Sequence, residues 1–115
     1  MVSGTGAQGV QLVDAAAAEK LMASTPGLQV LDVRTQEEVS TGTLNDAKAI
    51  NWFDSDFATQ VENNLDKGRP VLVYCKAGGR SAQAAKLLVA KGFSAVYDLE
   101  GGITAWKGGG HPVQK

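Results

Sequence analysis

One cysteine stands at the junction of a predicted strand and a predicted helix. Cys75 is the only cysteine of the 115-residue chain, and it opens the glycine-containing segment 75–81. The apolar run 71–74 before it is typical of a strand buried on both faces, and the residues from Ser81 onward favour a helix. A turn of this kind directs backbone N–H groups and the positive end of the helix dipole toward its centre. We therefore expect the turn to stabilise an anion, the Cys75 thiolate.

This position predicts a nucleophilic sulfur. The thiolate is the reactive form of cysteine, and the pKa of a free thiol falls from about 8.5 to about 3.5–7.5 beside a helix N-terminus or a cation. No histidine base is then required, and the only histidine, His111, lies in the Gly/Pro-rich C-terminal segment. The alternative is that Cys75 is a small buried residue without chemistry. The two glycines, with Lys76 and Arg80 beside them, favour the reactive interpretation.

The charge distribution places this cysteine in a basic environment. The net charge is −1, yet residues 67–97 contain six basic side chains and no acidic one, which leaves five basic and twelve acidic side chains elsewhere. Cys75 lies inside this basic segment, which suits an anionic substrate. The near-zero net charge argues against a protein that binds nucleic acid or a membrane surface.

Length and composition predict one soluble globular domain, since 43% of the residues are hydrophobic and 20% are charged. We assign residues 1–9 to a flexible N-terminal segment and residues 10–115 to a single domain. One cysteine excludes an internal disulfide, a CxxC pair and a cysteine-based zinc site, and we expect no metal or other cofactor. The sequence contains no secretory leader and no run of eighteen apolar residues. We therefore expect a cytoplasmic protein, with an exported protein that has lost its leader as the alternative.

Predicted strands and helices alternate along the chain. The strands are expected at residues 10–13, 28–33, 48–51, 71–74 and 95–99, and the helices at 15–24, 35–41, 54–65, 81–91 and 103–107. Asp14, the capping-box pair Thr35 and Glu38, and either Asp54 or Ser55 are the expected N-caps. Short β/α connections predict an α/β fold with a mostly parallel five-stranded sheet and helices on both faces.

Ligands of such folds bind beyond the carboxyl ends of the strands. Asp32, Cys75 and Glu100 lie at or just past three of these ends. We therefore expect the three side chains to converge on one site.

Three motifs, in this order, resemble the single-domain rhodanese family. They are Leu-Asp-Val-Arg at 31–34 with Glu38 four residues on, Val-Tyr-Cys-Lys-Ala-Gly-Gly-Arg-Ser at 73–81, and Leu-Glu-Gly-Gly-Ile-x-x-Trp at 99–106. The resemblance extends over residues 10–113 and implies a rhodanese-like fold. It also implies sulfurtransferase chemistry, in which Cys75 takes the outer sulfur of thiosulfate or of another sulfane donor, such as a persulfide. The expected acceptor of that sulfur is cyanide, a small thiol or a thioredoxin-like protein, and we expect a monomer.

The segment after the cysteine is the predicted substrate site: Lys76, Ala77, Gly78, Gly79, Arg80 and Ser81. Its N–H groups are expected to face the sulfur, and the two glycines to be present because side chains would block the inward turn. Lys76 is assigned to the anionic donor. Arg80 either faces the donor or pairs with Asp32 or Glu100 to hold the loop, and the structural role is favoured. The predicted supporting residues are Asp32, Arg34, Glu38 and Glu100, and for the first three we expect an internal ion-pair network rather than direct chemistry.

Two other functions are compatible with these residues. Phosphatases and arsenate reductases of related fold use a Cys-x5-Arg loop, whereas the spacing here is Cys75-x4-Arg80, a tighter cradle better matched to one sulfur atom. A non-catalytic rhodanese module that binds a protein partner is the second alternative, and the intact cysteine argues against it.

Two positions depart from the family pattern: Thr43 replaces a common histidine, and Lys76 replaces a common arginine, which keeps the charge without bidentate oxyanion binding.

Overall fold

A computed structural model of the chain describes residues 9–115. Residues 1–8, most of the predicted N-terminal segment, lie outside the described residues. Between residues 9 and 115 there are five strands and five helices: β1 Val10–Val13, α1 Ala15–Ser24, β2 Gln29–Asp32, α2 Gln36–Val39, β3 Lys48–Ala49, α3 Phe57–Asn64, β4 Val71–Tyr74, α4 Gly79–Ala90, β5 Val96–Leu99 and α5 Gly102–Gly108. No helix in this range is long and apolar enough to cross a bilayer.

The strands form one sheet in the order β1-β5-β4-β2-β3, and every pair in it is parallel. The predicted α/β architecture is therefore confirmed. Strand β4, which precedes Cys75, is central, and it pairs with β2 on one side and β5 on the other. The carboxyl ends of these three strands consequently lie side by side at one edge of the sheet, where the topology predicts a site.

Both faces of the sheet are covered by apolar side chains from helices. On one face Phe57 and Val61 of α3 pack with Ala84 and Leu88 of α4. On the other face the helices α1 and α5 contribute a second apolar cluster, in which Trp106 is nearly buried. Burial on both faces accounts for the continuous apolar sequence of β4, whose four residues are all buried.

Short-range side-chain signals set the starts of two helices, α1 and α2. Asp14 caps α1 by accepting a hydrogen bond of 2.8 Å from the N–H of Ala17, and Thr35 and Glu38 form the predicted capping box of α2. The predicted cap of α3 is wrong, because this helix begins at Phe57 and has no side-chain cap. The carboxylates of Asp54 and Asp56 instead accept hydrogen bonds from the amide of Gln60.

Candidate active site

Cys75 lies at the floor of the loop between β4 and α4. Its side chain is 1% exposed, while the rim residues Lys76, Ala77 and Gly79 are exposed to solvent. Strand β4 positions the cysteine because the apolar strand is anchored on both faces, and α4 begins four residues later. The sulfur is thus held at the base of a surface loop, where the loop meets the apolar cluster on one face of the sheet.

Backbone N–H groups of the loop point at the sulfur. The N–H of Gly78 lies 3.0 Å from Sγ and that of Ser81 lies 3.4 Å from it, and Ser81 Oγ is 3.6 Å away. Gly78 adopts a left-handed conformation with φ of 115°, which a residue with a Cβ rarely adopts. The predicted reason for the second glycine is wrong, since a Cβ at Gly79 would meet no atom within 4 Å.

These contacts change the acidity of the thiol. Burial raises the pKa of Cys75, but the Ser81 hydroxyl and the N–H groups of Ser81, Gly78 and Ala77 outweigh that effect and leave the pKa below its usual value. The direction agrees with the prediction from the strand-to-helix turn. The donors that carry the effect are neutral dipoles, so the negative charge on sulfur is stabilised without forming an ion pair.

The start of α5 holds the loop from the other side. The N–H groups of Ile103 and Thr104 donate to the carbonyl oxygens of Cys75 and Lys76, at 2.9 and 3.1 Å. Gly102 permits this approach, because a Cβ there would collide with both carbonyl oxygens. This support was not predicted from the sequence, although the glycine pair that follows β5 could have indicated a close approach of two backbone segments.

Arg80 braces the loop and does not face its centre. Its guanidinium donates to both carboxylate oxygens of Glu38, at 2.7 and 3.0 Å. Glu38 also accepts hydrogen bonds from the N–H and hydroxyl of Thr35, at 3.1 and 3.0 Å. The hydrogen bonds from Arg80 dominate over burial and lower the pKa of Glu38 to about 2. The predicted partners of Arg80, Asp32 and Glu100, are therefore wrong.

The model of the rhodanese-like domain family matches residues 14–108. The chain belongs to the rhodanese-like family. A protein of Allochromatium vinosum named sulfurtransferase is 31% identical over 104 residues, which cover 90% of this chain and 94% of that protein. Thiosulfate sulfurtransferase 18 of Arabidopsis thaliana is 35% identical, with 96% of this chain and 88% of that protein covered.

A solved structure shows the same fold. The solution structure of a rhodanese-like domain from Anabaena superposes with a TM-score of 0.79 at 30% identity, covering 90% of this chain and 77% of that one. The resemblance to rhodaneses inferred from the three motifs is thus confirmed. At this level the chain is a member of a sulfurtransferase family, and the matches do not specify its donor or acceptor.

A second buried polar cluster in this rhodanese-like domain lies at the end of β2. Asp32 receives the guanidinium of Arg34 through Nε at 3.0 and 3.1 Å and through Nη2 at 2.7 Å, and the Tyr74 hydroxyl at 2.6 Å. Arg34 Nη2 also donates to the carbonyl oxygen of Gly42. Burial, together with the charge of Asp32, raises the pKa of Tyr74, which remains a hydrogen-bond donor. Tyr74 was not expected among the polar supporting residues, although its position at the end of β4 was a signal.

The expected convergence of three side chains on one site is wrong. Asp32 is fully buried and bonded to Arg34, whereas Glu100 is exposed and forms no ion pair among the described residues. The buried acid near the cysteine is instead Asp98, whose Oδ1 lies 2.7 Å from Ser81 Oγ. The sequence feature that could have indicated this buried acid is an aspartate inside the otherwise apolar strand β5.

The basic segment around the cysteine is partly neutralised by acids from elsewhere in the chain. Lys67 pairs with Glu62, and Arg80 pairs with Glu38. Lys76 is exposed and forms no ion pair within residues 9–115. A cleft of about 320 Å³ beside the loop is lined by Arg34, Glu37, Glu38, Thr41, Lys76, Ile103, Thr104 and Lys107. Lys76 and Lys107 are therefore both exposed cations at the wall of this cleft, without an ion-pair partner among residues 9–115, and Lys76 is the one that belongs to the cysteine loop.

Proposed function

We propose that this protein transfers a sulfane sulfur from thiosulfate, or from a persulfide donor, to a thiophilic acceptor through a persulfide on Cys75. The observation that carries the proposal is the pair of backbone N–H groups aimed at Sγ, from Gly78 and Ser81. These donors favour the thiolate, which is the attacking species. The match to named sulfurtransferases supports the reaction class.

In the first step the Cys75 thiolate attacks the outer sulfur of thiosulfate. A new bond forms between the two sulfur atoms, the sulfur–sulfur bond of thiosulfate breaks, and sulfite leaves with the bonding electron pair. The product is a Cys75 persulfide whose outer sulfur carries the negative charge. No proton is transferred in this step, which fits a site that contains no histidine near the loop.

In the second step a nucleophilic acceptor removes the outer sulfur. Cyanide attacks that atom, the sulfur–sulfur bond of the persulfide breaks, and thiocyanate and the Cys75 thiolate are formed. A small thiol or a protein thiol would take the same sulfur as a persulfide. Since Cys75 is the only cysteine, no internal thiol competes for the persulfide, and it remains available to an external acceptor.

The loop can stabilise the negative charge of the Cys75 thiolate and also that of the outer sulfur in the persulfide. N–H donors that are fixed before the reaction need no reorganisation when charge develops near them, and such preorganised donors stabilise intermediates strongly. The hydrogen bonds from Ile103 and Thr104 to the loop carbonyls restrict the loop in this conformation. We assign Lys76 to the anionic donor, because its ammonium is free at the wall of the adjoining cleft.

The position of Arg80 argues against phosphatase activity. A phosphatase loop needs its arginine for the oxyanion, but both arms of the Arg80 guanidinium are bonded to Glu38. A non-catalytic module would have no use for two N–H donors at a cysteine sulfur. Sulfur transfer uses every one of these features.

Intact mass spectrometry after incubation with thiosulfate tests the proposal. We expect a gain of one sulfur, about 32 Da, that cyanide or a thiol removes again, because a persulfide is a reversible modification of cysteine. The matched control is Cys75→Ser, which should gain no mass. A wild-type protein that gains no sulfur from thiosulfate or from any persulfide donor would refute the proposal. Hydrolysis of an aryl phosphate under the same conditions would support the phosphatase alternative.

A further inference from the structure

A buried carboxylate adjoins the sulfur site but takes no part in the sulfur-transfer steps. Asp98 is 4% exposed and Ser81 is fully buried, and Asp98 Oδ1 accepts the Ser81 hydroxyl at 2.7 Å. Within residues 9–115, Ser81 is the only side-chain partner of this carboxylate. A buried carboxylate with so few donors is costly, so its position beside the loop calls for a role.

The Ser81 hydroxyl stands between this carboxylate and the sulfur. Its oxygen lies 3.6 Å from Cys75 Sγ and 2.7 Å from Asp98 Oδ1. A serine hydroxyl has one proton to donate and two lone pairs that accept. It therefore cannot donate to the Asp98 carboxylate and to the Cys75 thiolate at the same time.

We propose that Asp98 is a positioning residue for the Cys75 nucleophile, acting by drawing the hydroxyl proton of Ser81 away from the sulfur. This inference rests on the proposed function in one respect, that Cys75 is the nucleophile. The 2.7 Å contact to a carboxylate is of the charge-assisted kind, which is stronger than a bond to a neutral acceptor. A Ser81 proton that is held by Asp98 is not donated to the sulfur, so part of the effect by which this hydroxyl lowers the pKa of Cys75 is withheld.

Asp98 therefore opposes the backbone donors of the loop. The N–H groups lower the pKa of Cys75, and Asp98 limits that fall by competing with the sulfur for the proton of the Ser81 hydroxyl. This balance has a chemical use, because the nucleophilicity of a thiolate falls together with its pKa, and the best attacking thiol has a pKa near the ambient pH. Asp98 thus keeps the sulfur ionisable and still strongly nucleophilic.

The two groups should titrate as a coupled pair. Burial raises the pKa of Asp98, and the hydrogen bond from Ser81 opposes this only in part. When Asp98 takes up a proton it can donate to Ser81 Oγ, and the Ser81 hydroxyl is then free to donate to the Cys75 thiolate. A proton on Asp98 consequently favours the loss of one from Cys75, which is the signature of coupled sites.

The neighbouring elements bring few other titratable groups to this pair. Strand β1 has none, since its residues are Val-Gln-Leu-Val. Strand β4 contributes Tyr74, but Tyr74 belongs to the core cluster on the other face of the sheet from Cys75. Helix α4 contributes Arg80, whose charge acts on Cys75 from the rim. Arg80 is present in every variant used below and so does not affect the comparison.

The pH dependence of alkylation tests the inference. Iodoacetamide forms a carbon–sulfur bond with the Cys75 thiolate and releases iodide, so the rate reports ionisation without a sulfur donor. For Asp98→Asn, which is isosteric and uncharged, we expect the midpoint to move to lower pH and the rate at pH 6 to rise about threefold or more. Asp46→Asn, the same change at an exposed site, should leave the profile unchanged. An unchanged or higher midpoint for Asp98→Asn would overturn the inference, whether or not the protein transfers sulfur.

A double-mutant cycle tests the route through the hydroxyl. In a Ser81→Ala background the shift caused by Asp98→Asn should fall by at least half, because the shared proton is gone. A shift of full size in that background would mean that the carboxylate acts on Cys75 through space alone, and would overturn the role of Ser81.

A titration of the wild-type protein does not depend on the folding of any variant. The carboxyl carbon of Asp98, observed by carbon-13 NMR, should show a second step at the pH where Cys75 ionises. Alkylation of Cys75 should abolish that step. A carboxyl resonance that does not respond to the ionisation of Cys75 would contradict the coupling.

Discussion

Two anionic groups lie buried at the same edge of the sheet, and they are stabilised in different ways. Asp32, at the end of β2, receives a bidentate guanidinium and a tyrosine hydroxyl. Cys75, just past the neighbouring β4, receives two backbone N–H groups and has no cation in hydrogen-bond contact. The carboxylate is paired with an opposite charge, whereas the hydrogen-bond donors to the sulfur are neutral dipoles, with the charge of Arg80 acting from the rim.

The difference explains why one group is structural and the other is suited to chemistry. A carboxylate fully paired with Arg34 cannot leave its partner without exposing a buried charge, so it fixes the geometry of the sheet edge. A thiolate held by neutral N–H groups keeps its lone pairs available to attack a substrate. Both sites use burial, but only the dipole-stabilised anion remains a nucleophile.

The largest expected effect is on the rate of sulfur transfer at the cysteine site. Cys75→Ser should lower the rate of sulfur transfer from thiosulfate to cyanide by at least about a thousandfold, because the nucleophile is removed while its N–H donors stay. Thiocyanate formation measures the rate, and circular dichroism with thermal unfolding checks that the fold is kept. Residual turnover above about a tenth of the wild-type rate would move the chemistry to another residue.

The next largest effect is on the stability that the paired Asp32 carboxylate provides. Arg34→Met leaves the Asp32 carboxylate buried without its cation, and we expect the free energy of unfolding to fall by about 3–5 kcal/mol. Denaturant unfolding measures it. Lys86→Met, at an exposed position of α4, is the matched control and should change stability by less than about 0.5 kcal/mol. Equal effects of the two substitutions would contradict the contrast between the paired and the exposed cation.

A smaller effect concerns the pair that braces the loop. Glu38→Gln should lower stability at neutral pH by about 1 kcal/mol, since the pair with Arg80 is only partly shielded from solvent. Because folding lowers the pKa of Glu38 from 4.5 to about 2, its contribution is fully present above pH 4.5 and is lost as the pH falls toward 2. The difference between wild type and variant should therefore shrink over that interval in urea titrations at several pH values. A difference that stays constant down to pH 2 would show that the charge is not its source.

The smallest effect concerns the rim of the reactive site. Lys76→Ala should raise KM for thiosulfate by about fivefold, because it removes one exposed charge worth at most about 1 kcal/mol. The KM for a neutral organic polysulfide should be unchanged. Lys76→Arg keeps the charge and serves as the control. A parallel loss with both donors would assign Lys76 to the shape of the loop rather than to the charge of the donor.

Local features of the site were predictable from the sequence. The strand, turn and helix around Cys75 follow from an apolar run, two glycines and a helix-forming segment, and the caps Asp14 and Thr35 follow from spacings of three residues. Such signals depend only on neighbouring residues in the chain, so they can be interpreted without knowledge of the fold. The lowered pKa of Cys75 belongs to this group, since its donors come from the next six residues.

Partners that are distant in the chain were not predictable. Glu38 lies 42 residues before Arg80, and Asp98 lies 17 residues after Ser81. Several acids were equally available to Arg80 in the sequence, and only the placement of α2 beside the loop selects Glu38. The collision that reserves position 102 for glycine likewise exists only once α5 has docked on the loop.

The amino-acid sequence by itself determined the alternation of strands and helices, the place of the cysteine at a strand-to-helix turn and the dipoles that face it, because these depend on contacts within a few residues. The tertiary structure alone decided which carboxylate pairs with Arg80, which one accepts the hydrogen bond of the Ser81 hydroxyl and which lysines line the cleft beside the loop. The reason is physical: the sheet order places β4 between β2 and β5, and that order sets the distances between charges that no local pattern encodes.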